Sequence, residues 1–443
     1  MRFPVKPGMT KKNMIYHLFQ YLEIVGVDFP GIGLMNYLSF RAMLAAVTAV
    51  LTAMIAGKRI IRWLQAKQIG ETVRDLGLEG QIQKKGTPTM GGIIIILSVM
   101  TGVLLFCDLS NIYVKLLIVS TLWCGALGFA DDYIKVFKHN KEGLPEKGKL
   151  LGQVVLGFIV GLTVWMSPDI VVREKVEVRE SVERTLETET TVTTGRYVSE
   201  DVVKSTKTTI PFVKNHEFDY RWLSPVKGVW GWYAKWAIYV LMIIVVITAC
   251  SNGTNLTDGL DGLAAGTSAV VGVVLGILAW LGGNLIDSNY LNIMYIPGSG
   301  EIAIFMSAFV GALIGFLWYN SFPAQVFMGD TGSLTIGGII GVSAVLMRKE
   351  LLIPLLCGVF FVESLSVLLQ RTYFKYTRKR YGQGRRIWSM TPLHHHYQDK
   401  PAPAGQVLFP KPVPAQHEAK ITVRFWIVGI MLAVSTLALL KLR

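Results

Sequence analysis

Adjacent carboxylates at the end of an apolar stretch are the first residues in this chain that could do chemistry. Asp131 and Asp132 follow an apolar run, and Lys135 lies one helical turn beyond them. Two anions at the C-terminal end of a helix repel each other and meet the negative end of the helix dipole. Lys135 relieves part of this repulsion, and a divalent metal or a proton taken from a substrate would relieve more. For this pair alone, two acids that only mark a helix end are an equally good interpretation.

Two further polar segments flank apolar stretches in the same way. In the first, Asn255, Asp258 and Asp261 recur every three residues and would share one face if the segment continues as a helix. Its glycines let a ligand approach the backbone. The second segment, 322–333, contains Asp330 and opens another apolar stretch, so a helix N-terminus suited to phosphate groups is expected there.

Three consecutive histidines, His394, His395 and His396, form a fourth polar group. Adjacent side chains point in different directions in a regular helix or strand, so this tripeptide alone is a poor zinc site. Hydrogen bonding to phosphate oxygens, helped by Arg385 and Arg386, is the favoured role.

Oxygen ligands dominate all of these groups apart from the histidines. Carboxylate and amide oxygens suit Mg²⁺ better than zinc, and Mg²⁺ commonly bridges protein oxygens to substrate phosphates. Acids for a metal, lysines for phosphate and apolar helices beside them indicate phosphoryl transfer between a soluble phosphate donor and a lipid acceptor.

The composition predicts a membrane protein, since 51% of the 443 residues are hydrophobic and only 17% are charged. A helix needs ~20 apolar residues to cross the hydrocarbon layer. We therefore predict an all-α integral membrane protein with about ten transmembrane helices. The apolar stretches cover 39–57, 91–107, 114–130, 150–166, 234–251, 262–281, 302–319, 333–347, 351–369 and 424–440.

Lys and Arg are distributed unevenly between the connecting loops, which predicts the orientation. Three loops are strongly basic and two contain neither residue: 58–90, 132–149 and 371–423, against 108–113 and 282–301. Cytoplasmic loops are enriched in Lys and Arg, so these basic loops, the acidic segments and the triple histidine are predicted in the cytoplasm, with both termini outside. Arg348 and Lys349 argue the other way. The net charge of +14 needs no nucleic-acid partner, because basic loops face anionic headgroups.

Residues 167–233 interrupt the apolar pattern with a run of mixed charge. Valines such as Val176 and Val178 favour strands, and Gly195 could end a strand or make a bend. We predict a small extracytoplasmic β-hairpin, with a solvated loop as an equal alternative. Nothing in this segment suggests catalysis.

These motifs resemble those of the polyprenyl-phosphate N-acetylhexosamine-1-phosphate transferases over nearly the whole chain. The likeness is carried by Asp131-Asp132 with Lys135, Asn255 through Gly262, Phe327 through Asp330, and the triple histidine. The run Lys84-Lys85-Gly86-Thr87-Pro88-Thr89-Met90-Gly91-Gly92 and the uninterrupted histidines are typical of the branch that transfers phospho-N-acetylmuramoyl-pentapeptide. The segment at 167–233 is longer than in shorter family members.

The resemblance implies transfer of phospho-MurNAc-pentapeptide from UDP-MurNAc-pentapeptide to undecaprenyl phosphate, which gives lipid I and UMP in peptidoglycan synthesis. It also implies Mg²⁺ as cofactor, a ten-span fold in the bacterial inner membrane, a possible homodimer and a site that opens to the cytoplasm.

The resemblance further assigns roles to single residues. It implies that Asp131, Asp132 and Asp330 are catalytic, with Asp330 as the Mg²⁺ ligand and the other two at the lipid-phosphate end of the site. Phe327 is implied to stack on uracil. The implied substrate contacts are Lys84, Thr89, Lys135, Asn255, Asp258, Gly259, Leu260, Asp261, Phe327, Gln370, His394, His395 and His396.

Two mechanisms and several functions remain open at this point. Either Asp131 orients the lipid phosphate or accepts its proton during direct attack, or an acid forms a covalent intermediate. A sibling transferase that moves GlcNAc-1-phosphate or another sugar phosphate is the nearest alternative function. A cation-coupled transporter would carry its acids near the middle of its spans, which is not the pattern here. A scaffold without activity disagrees with the intact acidic set.

Overall fold

The structure is a computed structural model in which most of the chain is described. The described residues are 32–67, 86–138, 140, 142–181, 192–210, 217–291, 293–398, 407–409 and 416–440. Lys84 lies outside these ranges, so its substrate contact stays a prediction.

Helices make up most of the described chain. In chain order they are α1 Leu38–Ala66, α2 Gly92–Phe106, α3 Ile112–Phe137, α4 Glu146–Met166, α5 Val229–Thr257, α6 Leu263–Gly283, α7 Leu285–Tyr290, α8 Gly300–Asn320, α9 Gly329–Leu346, α10 Ile353–Leu356, α11 Gly358–Tyr381, α12 Leu393–Gln398 and α13 Glu418–Leu439. Part of the predicted basic loop 371–423 is therefore helical, since α11 continues to Tyr381 and α13 begins at Glu418.

Eight of the described helices are long and apolar enough to span a membrane, namely α1, α3, α4, α5, α6, α8, α9 and α13. A ninth is reached if Glu350–Leu356 and Gly358–Tyr381 count as one span, although the two parts are bent by 78°. The predicted span at 91–107 corresponds to α2, whose 15 residues fall short of the ~20 that a crossing needs. The described chain thus has eight or nine candidate spans, and the side on which the termini lie stays a prediction.

α9 is the most enclosed of these spans, and it carries Asp330. Of its 18 residues, 89% are buried, and it packs against α2, α3 and α5. A Cβ on Gly337 would lie 2.4 Å from the carbonyl oxygen of Cys250 in α5, and one on Gly338 would lie 2.5 Å from Sγ of Cys124 in α3. Small residues are typical of helix contacts in membranes, because close packing replaces the hydrophobic effect there. The glycines thus hold α9 tightly between α3 and α5.

α1 and α8 also pack through small residues. Ala45, Ala49, Ala53 and Gly57 are buried and recur every four residues along α1. A Cβ on Gly315 of α8 would lie 2.5 Å from the Cβ of Ala53, so the two helices approach closely at this stripe.

The predicted hairpin is present between α4 and α5, together with a second small sheet. Both sheets are antiparallel and two-stranded, and they pair β1 Val172–Ser181 with β2 Val192–Val203, and β3 Lys207–Thr209 with β4 Glu217–Asp219. The expectation that Gly195 ends or bends a strand is wrong, because it lies within β2 opposite Val178. The ladder therefore continues through this glycine.

The second sheet covers the loop that follows α9. The Thr208 hydroxyl and the Thr209 amide each donate to the carbonyl oxygen of Arg348 at 3.0 Å, and the Lys349 ammonium donates to the Thr209 hydroxyl at 2.6 Å. Arg348 and Lys349 are each only 2% exposed. The two cations that contradicted the charge pattern are thus buried beneath the insert, at the end of α9 remote from Asp330. An 18-residue helix separates these ends by about 27 Å.

Candidate active site

Four charged side chains from three helices form a single cluster. Asp131 and Lys135 lie at the end of α3, Lys149 lies in the first turn of α4, and Asp330 lies in the first turn of α9. The Lys135 ammonium is 2.6 Å from Oδ2 of Asp131 and 3.2 Å from Oδ2 of Asp330. The Lys149 ammonium is 2.8 Å from Oδ1 of Asp131 and 2.5 Å from Oδ2 of Asp330. Each lysine therefore bridges both carboxylates, and the expected pairing of Lys135 with the two acids of α3 is present for Asp131.

Asp131 is held in this cluster by the chain as well as by the lysines. It is fully buried, and the amide of Leu144 donates to its Oδ1 at 2.7 Å. The turn that leads into α4 therefore folds over the end of α3. This fold brings Lys149, fourteen positions beyond Lys135 in sequence, onto the same acids.

Asp132 has a different set of partners from its neighbour, because it caps the N-terminus of α9. Its Oδ1 accepts from the Asp330 amide at 3.1 Å, and its Oδ2 accepts from the amide and hydroxyl of Thr331 at 2.8 and 2.6 Å. Side-chain oxygens often satisfy the free amides of a first helical turn. The N-terminus that was expected to suit a phosphate thus already has two of its amides bonded to a carboxylate.

Close contact between α3 and α9 positions both acids. A Cβ on Gly128 would lie only 2.2 Å from the carbonyl oxygen of Asp330, so no other residue fits at this crossing without movement. The glycine lies one turn before Asp132, and it allows that carboxylate to reach the start of α9.

The segment 86–92, which we call the strap, runs beside the start of α9. The Phe327 amide donates to the Pro88 carbonyl at 2.8 Å, and the Gly91 amide donates to the Phe327 carbonyl at 2.8 Å. Thr89 is buried, and its hydroxyl oxygen lies 3.0 Å from the position that a Cβ on Gly329 would take. Thr89 and Phe327, both implied to contact substrate, are therefore close to the acidic cluster.

Asn255 joins the end of α5 to the acidic cluster. Its amide nitrogen donates to Oδ1 of Asp330 and to the Ser333 hydroxyl, at 2.9 Å each. All three predicted acidic segments are therefore in direct contact, because Asn255 donates to Asp330 and Asp132 accepts from the amides of Asp330 and Thr331.

The expectation that Asn255, Asp258 and Asp261 share one helix face is wrong. α5 ends at Thr257, and Gly262 adopts a φ of +73° just before α6. A glycine reaches this left-handed conformation without the steric cost that other residues meet. The chain therefore turns between Asp258 and Asp261, and the side chains of Asn255 and Asp261 contact different neighbours.

Asp261 and Leu260 face the start of α13 and the loop before α9. Oδ2 of Asp261 accepts from the Ala324 amide at 3.0 Å, and its own amide donates to Glu418 at 2.6 Å. Leu260 is buried in a small apolar cluster with Ile421. Asp258 is half-buried and Gly259 is exposed, so within this turn they are the two that a ligand could reach most readily.

The three histidines point to different partners, as their adjacency predicted. His394 is fully buried with its Nδ1 3.3 Å from Glu363, and a Cβ on Gly259 would lie 2.2 Å from its Nε2. His395 contacts Gln398 through Nδ1 at 3.1 Å, whereas Nδ1 of His396 accepts from the Ser389 amide at 3.3 Å. The triple histidine is thus joined through His394 to the turn after α5. Asn255 lies in the last helical turn of α5, just before that turn.

Gln370, an implied substrate contact, is bonded to the chain itself. Its Oε1 accepts from the amides of Ile387 and Trp388 at 2.9 and 3.0 Å, and its Nε2 donates to the Trp388 carbonyl at 2.9 Å. Its side-chain amide therefore shapes the loop between α11 and α12.

Sequence reasoning did not assign Lys149, Glu363, Glu418 or Ser333 to the site. Lys149 was one of several lysines in a basic loop, and its spacing from Asp131 carries no recognisable pattern. Glu418 begins α13, where an acid is ordinary, and Glu363 lies inside the apolar stretch 351–369. Only the fold brings these residues to the predicted ones.

Three carboxylates make the cluster suitable for a divalent cation. Oxygen atoms of Asp131, Asp132 and Asp330 lie within 4.8 Å of one another, and no second group of this kind occurs in the described residues. Carboxylate oxygens are the ligands that Mg²⁺ prefers, so the donor set fits this ion. Both oxygens of Asp132 already accept hydrogen bonds from the first turn of α9, so Asp330 and Asp131 are the better placed ligands.

Comparison with known proteins identifies the family. The signature 1 of phospho-N-acetylmuramoyl-pentapeptide-transferases matches residues 84–96, and the profile of glycosyl transferase family 4 matches residues 203–348. A phospho-N-acetylmuramoyl-pentapeptide-transferase from Parabacteroides distasonis is 57% identical over 97% of this chain and all of its own length. The chain belongs to the phospho-N-acetylmuramoyl-pentapeptide-transferase family.

Other members of the phospho-N-acetylmuramoyl-pentapeptide-transferase family are similarly close. Those from Flavobacterium psychrophilum and Porphyromonas gingivalis are 55% and 54% identical, and each alignment covers 97% of this chain and all of the relative. The family signature contains the strap, and the glycosyl transferase family 4 match contains Asn255, Asp261 and Asp330. The sequence resemblance is thus confirmed, and the chain is a membrane-bound transferase.

Proposed function

We propose that this protein transfers phospho-MurNAc-pentapeptide from UDP-MurNAc-pentapeptide to undecaprenyl phosphate, which forms lipid I and releases UMP for peptidoglycan synthesis. One observation carries this proposal beyond family membership. Asp131 and Asp330 meet two bridging lysines at one end of a bundle of apolar helices, beside the family's signature segment. A diphosphate and a lipid phosphate could both reach such a cluster at a membrane surface.

The two lysines supply the phosphate-binding charge in this proposal. Lys135 and Lys149 each contact two carboxylates, so a substrate phosphate competes with Asp131 and Asp330 for the same ammonium groups. When the lysines turn to phosphate, Asp131 loses two ion-pair partners but keeps the bond from the Leu144 amide. Its carboxylate stays in place and becomes a better proton acceptor.

The reaction is a direct displacement in this proposal. Asp131 orients the lipid phosphate and accepts its proton, and an oxygen of that phosphate forms a bond to the sugar-linked phosphorus of the donor. The bond between that phosphorus and the bridging oxygen breaks, and UMP leaves with the electron pair. Mg²⁺ held by Asp330 would offset the negative charge of the diphosphate.

The remaining residues position these groups. Asp132 fixes the first turn of α9, and Asn255 holds Oδ1 of Asp330 at 2.9 Å. We infer that Asp258, Gly259 and Phe327 form the nucleoside side of the site, since they lie beside Asn255 and Asp330 in the chain. His394 packs against Gly259 and so supports the nucleoside side of the site.

Release of UMP by the purified protein tests the function. The full chain is incubated with UDP-MurNAc-pentapeptide and undecaprenyl phosphate, with and without Mg²⁺. We expect UMP and a lipid-linked sugar in equal amounts, dependent on Mg²⁺ and lost in Asp330→Asn. A covalent mechanism predicts instead a phospho-sugar on the protein when the lipid acceptor is omitted, and trapping it would overturn direct displacement.

A sibling activity is the alternative, in which GlcNAc-1-phosphate or another sugar phosphate is moved. The match of the muramoyl signature to residues 84–96 favours the first proposal. Replacing the donor with UDP-GlcNAc in the same assay separates the two. UMP release from UDP-GlcNAc alone would overturn the muramoyl assignment.

We also propose that the enzyme lies in the bacterial inner membrane with this site facing the cytoplasm. The basic loops 58–90, 132–149 and 371–423 support this orientation through their Lys and Arg content, and the second of them follows Asp131 directly. The ten-span count includes α2 and the bent pair α10–α11 as short or broken spans. A homodimer is part of the same proposal, and its mass in detergent would test it.

A further inference from the structure

A cavity lies against the first residues of the strap, Gly86 to Pro88. Its volume is about 430 Å³, and it is bounded by the end of α1, the strap, the end of α8 and the loop after α8. Lys58 and Arg62 of α1 line it, together with the polar side chains of Gln65 and Gln325. Among the described residues that line it, none is acidic. The cavity therefore favours an anion.

The floor of the cavity is apolar. Ile61, Pro88 and Tyr319 are buried and form it, and the Tyr319 hydroxyl is already bonded to the Met54 carbonyl at 2.6 Å. A ligand that fills the space thus presents both a charged group and an apolar part. Inorganic phosphate alone would leave this floor uncovered.

One face of α1 leads directly into the cavity. Val47, Leu51 and Ile55 are exposed and apolar, and Lys58 and Arg62 follow them with spacings of three and four residues. These spacings place all five side chains on one helical face. Because α1 is a candidate membrane span, its exposed apolar face contacts lipid chains. The two cations therefore stand where that face meets the headgroups.

We propose that this cavity binds the headgroup of an anionic phospholipid. Its phosphate contacts Lys58 and Arg62, and its acyl chains follow the apolar face of α1. Cations at the end of a span can also extend into the headgroup layer without a specific partner. The lining distinguishes the two cases, because a cation that only extends into the headgroup layer would have no buried apolar residues and no side-chain amides beside it.

Lipid retention by the full-length protein tests this site. The purified chain is titrated with phosphatidylglycerol, or with phosphatidylcholine of the same acyl chains, and bound lipid is counted by native mass spectrometry. A basic residue that contacts a bound anionic headgroup is worth about fivefold in affinity. We expect Lys58→Gln and Arg62→Gln each to weaken phosphatidylglycerol binding about fivefold, and the double variant about 25-fold.

Arg59→Gln is the matched control, because Arg59 is exposed on the same turn of α1 but does not line the cavity. It should bind phosphatidylglycerol as the wild type does, and Lys58→Arg should keep most of the affinity. Equal loss in Arg59→Gln, or unchanged binding in the double variant, would overturn the proposal. So would equal binding of phosphatidylcholine, or of glycerol phosphate without acyl chains. The transferase assay is independent of all these outcomes.

Discussion

Lys149 contacts the two acids that the proposed reaction depends on, although other lysines surround it in the sequence. We expect Lys149→Gln to lower kcat/KM ten- to a hundredfold, since a hydrogen bond to a charged group is worth about 1.5–3 kcal/mol. The substitution removes an ion pair from Asp131 and from Asp330 at once, because Lys149 bridges them. Steady-state UMP release measures it.

Lys147→Gln is the control for that change. Lys147 lies two positions away, carries the same charge and is exposed. If it lowers kcat/KM as much as Lys149→Gln does, the effect comes from the basic loop as a whole and the bridging role is refuted.

Asp132 should matter for stability as well as activity, since it caps α9. Asp132→Asn places a donor where three donors now meet a carboxylate, so we expect the protein to lose about 1–2 kcal/mol of stability and its apparent melting temperature in detergent to fall. Thr331→Val removes one of those donors and should cost about 1 kcal/mol. An unchanged melting temperature in Asp132→Asn would contradict the capping role.

Residue type and flanking hydropathy singled out Asp131, Asp132 and Asp330, which do converge, but they did not predict the partners of these acids or that Asp261 would contact Ala324 and Glu418 instead. Asp131 and Asp132 are equivalent in sequence, yet one contacts two lysines and the other caps a helix. Only the rotation of α3 against α9 separates them. Likewise, the position at which α4 begins decides which lysine reaches Asp131.

The turn between α5 and α6 is the element whose conformation the site depends on most directly. A Cβ on Gly259 would lie 2.2 Å from a fully buried imidazole, so Gly259→Ala must displace either the turn or His394. We expect more than a tenfold loss of kcat/KM in the UMP assay. Gly276→Ala in α6 is the control, because its Cβ meets nothing closer than 3.5 Å, and it should retain activity.

Helix α9 should tolerate even small additions poorly. Gly337→Ala would bring a methyl group within 2.4 Å of a backbone carbonyl of α5, and overpacking of this kind costs about 1–3 kcal/mol. We therefore expect a lower apparent melting temperature in detergent for Gly337→Ala. An unchanged melting temperature in Gly337→Ala would mean that α5 and α9 can move apart without losing stability.

Hydropathy predicted most spans but not their interruptions. The stretch 351–369 is continuous in sequence, yet the chain bends by 78° between Leu356 and Gly358. A hydropathy window averages over such a bend because the apolar composition does not change there. Similarly, the stretch 91–107 is apolar enough to be predicted as a span, whereas the helix within it, α2, has only 15 residues.

On the scale of the molecule, the insert and the acidic cluster occupy opposite ends of α9. Removing residues 177–196 deletes most of the β1–β2 pairing but leaves the second sheet and its contacts with Arg348. We expect UMP release and the melting temperature to change little. In contrast, Thr208→Val with Thr209→Val should destabilise the protein by about 1–3 kcal/mol, because the Lys349 ammonium loses its hydroxyl partner.

The burial of Lys349 also affects how the orientation of this protein can be measured. A water-soluble reagent that labels amines from one side of the membrane needs an ammonium that water can reach. Lys349 is 2% exposed, so it should stay unlabelled from either side and would be misread as lying within the bilayer. Lys227, which is exposed near the start of α5, is the amine to label when the location of the insert is determined.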